Sequence, residues 1–173
     1  MRLATRQTNR PPIGMLDGVI ASDLMSPNPV SIRSDATVVE ATALLTDKGF
    51  GGAPVIDEAG RPVGVVSRGD LLVHDRERFD YLGSKRVSDE ISDKFSDMDA
   101  FDPDSFQIVD VDRTPVSEIM TPVVFAVRPD TPANKVLNEL ASLRVHRLFV
   151  VDGGGILVGV VSALDVISAL AEG

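Results

Sequence analysis

Two serine and aspartate pairs carry the side chains best suited to bind a ligand, Ser67 with Asp70 and Ser162 with Asp165. In each pair the serine ends an apolar segment, and the aspartate stands three residues later at the predicted start of a helix. Free backbone N–H groups at a helix start attract phosphate, and a carboxylate accepts two hydrogen bonds from a ribose diol. The same spacing also forms a capping box, in which the serine and the acid satisfy each other's backbone N–H groups. The spacing alone leaves both interpretations open.

The chain is an internal duplication of one supersecondary unit. The segment GVVSRGD at 64–70 returns as GVVSALD at 159–165, and the same offset relates further landmarks in order. These are Met25 and Met120, Pro27 and Pro122, Arg33 and Arg128, Asp35 and Asp130, Val55 and Val150, and Asp57 and Asp152. Two copies of one unit usually bury apolar faces against each other about a pseudo-two-fold axis, which leaves related grooves for ligands. We expect core packing as the role of Met25 and Met120.

Hydrophobic periodicity predicts the order strand, helix, strand, strand, helix in each repeat, and hence an α/β (α+β) fold built from small sheets with helices. The first repeat also opens with a short helical turn at 23–25. Its predicted elements are strand 30–33, helix 38–48, strands 54–57 and 63–66, and a helix from Ser67. In the second repeat they are strand 125–127, helix 132–144 with Thr131 as its N-cap, strands 148–151 and 157–161, and a helix from Ala163.

Four segments follow from this order. They are an N-terminal arm at 1–19, a first repeat at 20–72, an acidic insert at 73–113 and a second repeat at 114–173. The arginine-bearing arm is also compatible with an organelle transit peptide. In the insert we expect one or two exposed helical pieces within 75–95 and a loop at 96–106. Its acids Asp97, Asp99, Asp102 and Asp104 are predicted to be solvated rather than to bind a metal, since the glycine turn and distal glutamate of an EF-hand are missing.

Composition narrows the functional classes. The 173 residues carry a formal net charge of −9, which argues against nucleic-acid or anionic-membrane binding because those partners require clustered lysine and arginine. The sequence contains no cysteine, which excludes disulfides and thiolate chemistry. It also has neither an apolar segment of membrane-spanning length nor a secretory signal. We therefore expect a cytoplasmic protein.

The segments DLMSP at 23–27, APVID at 53–57 and GVVSRGD at 64–70, with their second copies, resemble the cystathionine-beta-synthase (CBS) domain pair. The resemblance covers about 20–72 and 114–170. It implies two units packed through their sheets about a pseudo-two-fold axis, with two clefts that bind adenosine-containing ligands. It further implies a regulatory module, commonly a homodimer paired through helical faces, here the helices from Asp70 and Asp165.

The resemblance assigns one cleft in full. It implies that Asp165 holds the ribose hydroxyls, that Ser162 lies near the phosphate, and that His146 and Arg147 contact phosphate. A guanidinium binds phosphate bidentately, and a histidine adds a second donor when protonated. The implied adenine pocket consists of residues of the facing repeat, Ala36, Ala41 and Val55. The alternative for His146 and Arg147 is an exposed strand edge held by salt bridges to acidic residues.

The reciprocal cleft departs from the family pattern. Ser67 and Asp70 are present, and the resemblance implies a base pocket of Thr131, Val136 and Val150. The positions that match His146 and Arg147 are Gly51 and Gly52, so no side chain reaches a phosphate there. We therefore predict one competent cleft and one that is weak, empty or suited to a neutral adenosine group.

Together with this resemblance, the sequence predicts a sensor of AMP, ADP or ATP, with S-adenosylmethionine also compatible, that needs no cofactor and regulates an unidentified protein in trans. Catalysis is not expected, because no nucleophile elbow and no phosphate-binding Walker loop is present. The second hypothesis is a ligand-free dimeric scaffold that acts through its acidic insert. A third, metal-dependent phosphohydrolysis by the acids of the insert, has less support.

Overall fold

The computed structural model describes residues 16–90 and 112–172. The predicted loop at 96–106, with Asp97, Asp99, Asp102 and Asp104, lies outside these ranges. Short strands alternate with helices throughout. In chain order the elements are α1 (Ala21–Leu24), β1 (Ser26–Pro27), β2 (Ile32–Arg33), α2 (Val38–Asp47), β3 (Gly52–Ile56), β4 (Pro62–Ser67), α3 (Arg68–Glu90), α4 (Val116–Ile119), β5 (Ala126–Val127), α5 (Ala133–Leu143), β6 (Arg147–Val151), β7 (Leu157–Ser162) and α6 (Ala163–Glu172).

The mixed α/β fold class is confirmed. The two repeats contain equivalent elements in the same order, except that β1 has no equivalent strand in the second repeat, where Thr121 forms an isolated bridge with Val65. The predicted helices 38–48 and 132–144 are α2 and α5, each within one residue at both ends. The two longer strands predicted in each repeat are β3 and β4, and β6 and β7. The strands predicted at 30–33 and 125–127 are shorter than expected, with two residues each in β2 and β5.

α3 is longer than the sequence predicts. A single helix of 23 residues begins at Arg68 and ends at Glu90, where one or two shorter pieces were expected. Asp75, Arg76 and Glu77 on this helix are exposed, in agreement with the missing apolar stripe. No helix in the described part of the chain is both long enough and apolar enough to cross a membrane.

The chain divides into two compact units that differ from the two repeats. Among the described residues, the first-repeat unit consists of 30–58, 63–90 and 112–123, and the second-repeat unit consists of 16–29, 59–62 and 124–172. α1 and β1 open the first repeat but belong to the second-repeat unit. α4 opens the second repeat but belongs to the first-repeat unit. Each unit therefore combines the body of one repeat with the opening segment of the other.

The first-repeat unit contains a three-stranded sheet in the order β2-β3-β4. β2 and β3 are parallel, with Ile32 opposite Val55. α2 begins with a complete capping box, because Thr37 Oγ1 accepts the Glu40 N–H at 3.2 Å and Glu40 Oε2 accepts the Thr37 N–H at 2.7 Å. The buried core consists of Ile32, Val38, Ala41, Leu45, Ala53, Val55, Val66, Leu71 and Val116.

The second-repeat unit contains a four-stranded sheet in the order β1-β7-β6-β5. β7 is antiparallel to both of its neighbours, with Ser26 opposite Val160 and Arg147 opposite Ser162. β5 and β6 are parallel. The buried core consists of Leu16, Ala21, Leu24, Val127, Ala133, Val136, Leu140, Leu148, Val150, Val161 and Val166.

Two sequence predictions at the edges of this unit are wrong. Thr131 does not cap α5, since its hydroxyl accepts the Arg128 N–H at 3.0 Å and closes the turn before the helix. Pro132 occupies the cap position, and no side chain caps the helix there. The predicted arm also extends too far, because Leu16 is buried in the core and Val19 O accepts the Ala133 N–H at 2.9 Å. Residues 1–15 of the arm lie outside the described chain.

Each predicted core methionine packs beside a glycine of a neighbouring strand. Met25 lies partly buried against the core of the second-repeat unit, and Met120 against that of the first-repeat unit, which confirms their packing role. A Cβ added to Gly159 would collide with Met25 Sδ. A Cβ added to Gly64 would lie 2.8 Å from Met120 Sδ and 2.7 Å from the backbone oxygen of Thr121. In both places the absence of a side chain creates room for the thioether.

Candidate functional site

The serine and aspartate pair of the second repeat lies where β7 passes into α6. Ser162 Oγ donates to Asp165 Oδ2 at 2.7 Å, and the Ser162 N–H donates to the same oxygen. The Asp165 N–H in turn donates to Ser162 Oγ at 3.2 Å. This is the capping box that the spacing allowed, and it fixes the carboxylate at the first turn of α6.

The pair of the first repeat, between β4 and α3, has nearly the same geometry. Ser67 Oγ donates to Asp70 Oδ2 at 2.7 Å, and the Asp70 N–H donates to Ser67 Oγ at 3.3 Å. In both repeats the capping box occupies Oδ2 alone, and Oδ1 has no hydrogen-bond partner among the residues that the structure describes. The capping and nucleotide interpretations are thus compatible, because a carboxylate held by one oxygen still offers the other to a hydroxyl donor.

His146 and Arg147 adjoin the second-repeat pair. The Ala163 N–H donates to the backbone oxygen of His146 at 3.0 Å, and Arg147 is directly opposite Ser162 in the antiparallel pairing of β6 and β7. Residues opposite each other in such a pair project their side chains to the same face of the sheet. The Arg147 guanidinium therefore shares a face with the Ser162 hydroxyl.

Both basic residues are exposed. None of the ion pairs within 16–90 and 112–172 includes either residue, so the structure offers no support there for an edge held by salt bridges. An exposed guanidinium without an anionic partner, beside a hydroxyl and a carboxylate, can hold a phosphorylated ribose.

The corresponding end of the first repeat contains glycine instead. The Arg68 N–H donates to Gly51 O at 3.0 Å, so the backbone repeats the contact between Ala163 and His146. A Cβ added to Gly52 would lie 2.9 Å from Val66 O, closer than side chains normally approach. Arg68 is the nearby cation, and its guanidinium donates to Leu45 O at 3.3 Å, near the end of α2. This end of the repeat therefore lacks the two side chains that were assigned to phosphate.

The residues predicted to form the base pockets lie mainly in the cores. Ala41 and Val55 have no exposed area in the first-repeat unit, whereas Ala36 is only partly buried. Val136 and Val150 have no exposed area in the second-repeat unit. The structure thus gives these four buried side chains a packing role, and the adenine pockets stay predictions. Thr131, the remaining member, is buried and uses its hydroxyl in the turn before α5.

A cluster that the sequence did not predict joins α3 to the residues just before α4. Asp112 Oδ2 contacts His74 Nε2 at 2.7 Å and Arg78 Nη1 at 2.8 Å, and Asp112 Oδ1 accepts the Thr114 N–H at 2.9 Å. The Asp112 side chain is 10% exposed. Burial raises the pKa of Asp112, but the hydrogen bonds from Thr114, His74 and Arg78 outweigh it and lower that pKa well below its ordinary value. We assign this cluster a role in stability.

Among the described residues, no group of three or more histidine, cysteine or acidic side chains is placed to hold a metal ion. Asp97, Asp99, Asp102 and Asp104 lie outside those residues, so the expectation that they are solvated stays a prediction.

Comparison with known proteins agrees with this architecture. The family model for the CBS domain matches residues 21–77 and 116–172, which cover both repeats and more than half of the chain. The chain therefore belongs to the CBS domain family, as a tandem pair.

The similarity covers nearly the whole of some relatives and less than two thirds of others. An uncharacterized protein of Methanocaldococcus jannaschii is 27% identical over 157 residues, covering 88% of this chain and 91% of that one. CBSX2, a chloroplastic CBS domain-containing protein of Arabidopsis thaliana, is 30% identical over 158 residues, covering 88% of this chain and 63% of that one. Its crystal structure in complex with AMP gives a TM-score of 0.63 at 29% identity, over 90% of this chain and 98% of that one. The CBS domain of a bacterial CNNM/CorC family Mg²⁺ transporter in complex with ATP gives 0.63 at 25% identity, over 92% of each chain.

Proposed function

We propose that this CBS pair binds an adenine nucleotide through the second-repeat unit. Asp165 Oδ1 accepts the ribose hydroxyls, and Arg147, with His146 when protonated, binds the phosphate. The observation that carries the proposal is the combination of a carboxylate held by one oxygen and an exposed guanidinium, without an ion pair in the described chain, on the face of Ser162. Relatives crystallised with AMP and with ATP support the choice of ligand.

The two repeats do not contribute equally in this proposal. Asp70 presents the same carboxylate geometry as Asp165, but Gly51 and Gly52 provide no cation beside it. A phosphorylated ligand therefore binds the second-repeat unit more tightly. The first-repeat unit binds at most a neutral adenosine group, and weakly.

Calorimetric titration of the purified chain with AMP, ADP, ATP and S-adenosylmethionine tests the proposal. We expect about one nucleotide per chain, with S-adenosylmethionine weakest because it carries no phosphate. Asp165→Asn, which is nearly isosteric and can still accept from Ser162, should weaken every ligand that carries a ribose. Asp70→Asn is the matched control and should leave nucleotide affinity within twofold. Equal losses in the two variants, or no heat with any ligand on folded protein, would contradict the proposal.

We further propose that nucleotide binding regulates a separate protein rather than a reaction on this chain. A ligand shifts a conformational equilibrium only through its different affinities for the two arrangements. Because α6 begins at the site, ATP should slow amide hydrogen exchange in α6 of the wild type and leave Asp165→Asn unchanged. An exchange pattern that ATP does not alter would argue for binding without a conformational response.

Exposed apolar side chains on the helices favour a second function, assembly as a homodimer. On α6, Leu164 is 69% exposed and Ile167 is 59% exposed, three residues apart and hence on one helix face. On α3, Leu72 is 69% exposed at the position equivalent to Ile167, and Phe79 is 75% exposed one heptad later. We propose that a second copy of the chain covers these faces, since identical surfaces can pair about a two-fold axis.

Sedimentation velocity at tens of micromolar tests the dimer. The wild type should sediment as a dimer, and the double variant Leu164→Glu/Ile167→Glu should shift toward the monomer. Val39→Glu, at an exposed apolar position on α2, is the matched control and should leave the dimer intact. A monomeric wild type would remove the assembly proposal without affecting the nucleotide proposal.

A further inference from the structure

The end of α5 contains an arginine in a backbone conformation that favours glycine. Arg144 caps the helix with φ 54° and ψ 38°, in the left-handed region. Its equivalent in the first repeat is Gly49, with φ 67° at the end of α2. A side chain in this region crowds the following carbonyl oxygen, and glycine avoids that strain. The first repeat has the residue that this turn prefers, whereas the second repeat keeps a strained cation.

This arginine is also exposed and adjoins the proposed phosphate site. Arg144 lies two residues before His146 and three before Arg147, and all three are exposed. None of them takes part in an ion pair within the described residues. The chain as a whole has 26 acidic and 17 basic residues, so acidic partners are abundant. Two exposed arginines and an exposed histidine within four positions form a local basic patch on an acidic protein.

We propose that Arg144 is a further phosphate-binding residue that selects adenosine di- and triphosphates over the monophosphate. The inference rests on the proposed nucleotide site. Arg147 and His146 provide donors for one phosphate group, and each further phosphate adds negative charge that needs another donor. Three residues of chain span at most about 10 Å, so the Arg144 side chain lies within reach of phosphates beyond the first.

A simpler role for Arg144 is attraction to the carboxyl end of α5, where cations stabilise a helix. That role predicts an effect on stability and none on ligand choice. The phosphate role predicts that ATP affinity depends on Arg144 more strongly than AMP affinity does. Glycine at this position distinguishes the two roles. It removes the cation and also relieves the backbone strain, so the fold is kept while any phosphate contact of Arg144 is lost.

The test measures the dissociation constants of AMP and ATP, and the melting temperature, for wild type, Arg144→Gly and Arg128→Gln. We expect Arg144→Gly to weaken ATP about tenfold, to change AMP less than threefold and to melt at or above the wild-type temperature. Arg128→Gln removes an equal charge from an exposed site in the same unit and should change the ATP-to-AMP ratio less than twofold. Arg144→Asn, which tolerates the left-handed conformation, should behave like the glycine variant.

The outcomes distinguish this inference from the function on which it rests. Equal weakening of AMP and ATP in Arg144→Gly, or no weakening of either, overturns the selectivity role and leaves the nucleotide site standing. An equal change of the ratio in Arg128→Gln overturns it as well, since the effect would then be one of net charge. A wild type that binds neither nucleotide overturns both proposals.

Discussion

The junction between β4 and α3 in the first repeat and the junction between β7 and α6 in the second differ in their neighbouring side chains far more than in their backbone. Ser67 Oγ and Ser162 Oγ both lie 2.7 Å from their aspartate oxygens, and both helices start from the same backbone contact. The first repeat has glycine at 49, 51 and 52, where the second has Arg144, His146 and Arg147. The duplication thus preserved the starts of α3 and α6 and changed the residues that lead into β3 and β6. The conserved capping geometry alone therefore does not show which repeat binds phosphate.

The largest expected effect concerns the glycines beside the methionines. A Cβ on Gly64 would meet the backbone oxygen of Thr121, which cannot move without disturbing its pairing with Val65, whereas a Cβ on Gly159 would meet only the Met25 side chain. Gly64→Ala should therefore lower the free energy of unfolding by about 3 kcal/mol, and Gly159→Ala by less. Urea denaturation measures both variants.

Methionine truncation sharpens this comparison. Met25→Ala should restore part of the stability lost in Gly159→Ala, because it removes the colliding side chain. Met120→Ala should fail to restore Gly64→Ala, since the contact with Thr121 O remains. Equal rescue in the two repeats would show that the methionine is the obstacle in both.

The second prediction concerns a variant in which the first repeat receives the residues proposed to bind phosphate in the second. Gly51→His/Gly52→Arg gives the first repeat the side chains of the second, but a Cβ at position 52 lies 2.9 Å from Val66 O. The double variant should lose about 2 to 3 kcal/mol of unfolding free energy and gain no second nucleotide. Gly51→His alone is the control and should be tolerated, because no atom lies within 4 Å of its added Cβ. Two nucleotides bound per chain in the double variant would show that these two glycines alone prevent the first repeat from binding a nucleotide.

Which features the sequence could predict depends on how far apart the interacting residues are. The helical stripe of 38–48 is a local pattern, and the repeat offset transfers such patterns to the second copy. Together they located most elements within a few residues. The exchange of α1 and β1 into the second-repeat unit depends on pairing across most of the chain, which no local pattern records. The Asp112 cluster likewise joins residues 38 positions apart.

At the candidate site, the structure shows where the predicted residues lie, and their roles in ligand binding stay predictions. The offset indicated Ser162 and Asp165, the family resemblance indicated Arg147, and the structure brings the three together at one end of the second repeat. Ala41 and Val55 fit a purine edge by type, but the same apolar character buries them in the core. Arg144 was missed, although its alignment with Gly49 could have revealed it, because a left-handed φ is not visible in residue type.

The third prediction uses the Asp112 cluster, which the second repeat lacks, since Ala169 stands where the first repeat has His74. Asp112→Asn removes the anion that both His74 and Arg78 contact and should lower the unfolding free energy at pH 7 by about 2 kcal/mol. The folded pKa of Asp112 is lowered relative to its ordinary value of 3.8. The charged form therefore stabilises the fold above pH 4, and this stability is lost as the pH falls toward the folded pKa.

Urea denaturation at pH 5 and pH 3 measures this loss. The wild type should lose more stability than Asp112→Asn between the two values. Asp35→Asn is the control for an exposed carboxylate whose pKa is also lowered, there by the hydrogen bond from Arg33, and it should reduce the acid loss less. An identical acid loss in wild type and Asp112→Asn would show that the cluster is not linked to folding.

The smallest expected effect concerns the starts of the equivalent helices α2 and α5. α2 has the Thr37 and Glu40 capping box, whereas α5 has Pro132 and Lys135 at the equivalent positions and no side-chain cap. Thr37→Ala should cost about 1 kcal/mol because the Glu40 N–H loses its acceptor. Pro132→Ala should cost less, since its contribution is a restricted φ rather than a hydrogen bond.

Moving the box into the second repeat completes this test. Pro132→Thr/Lys135→Glu would supply both partners of the box to α5, at the loss of one exposed ion pair between Lys135 and Glu139. Thermal denaturation should show the double variant at or above the wild-type midpoint if the cap decides how well α5 starts. A midpoint below that of Pro132→Ala would instead show that α5 depends on the restricted backbone of proline. The two repeats would then begin equivalent helices by different physical means.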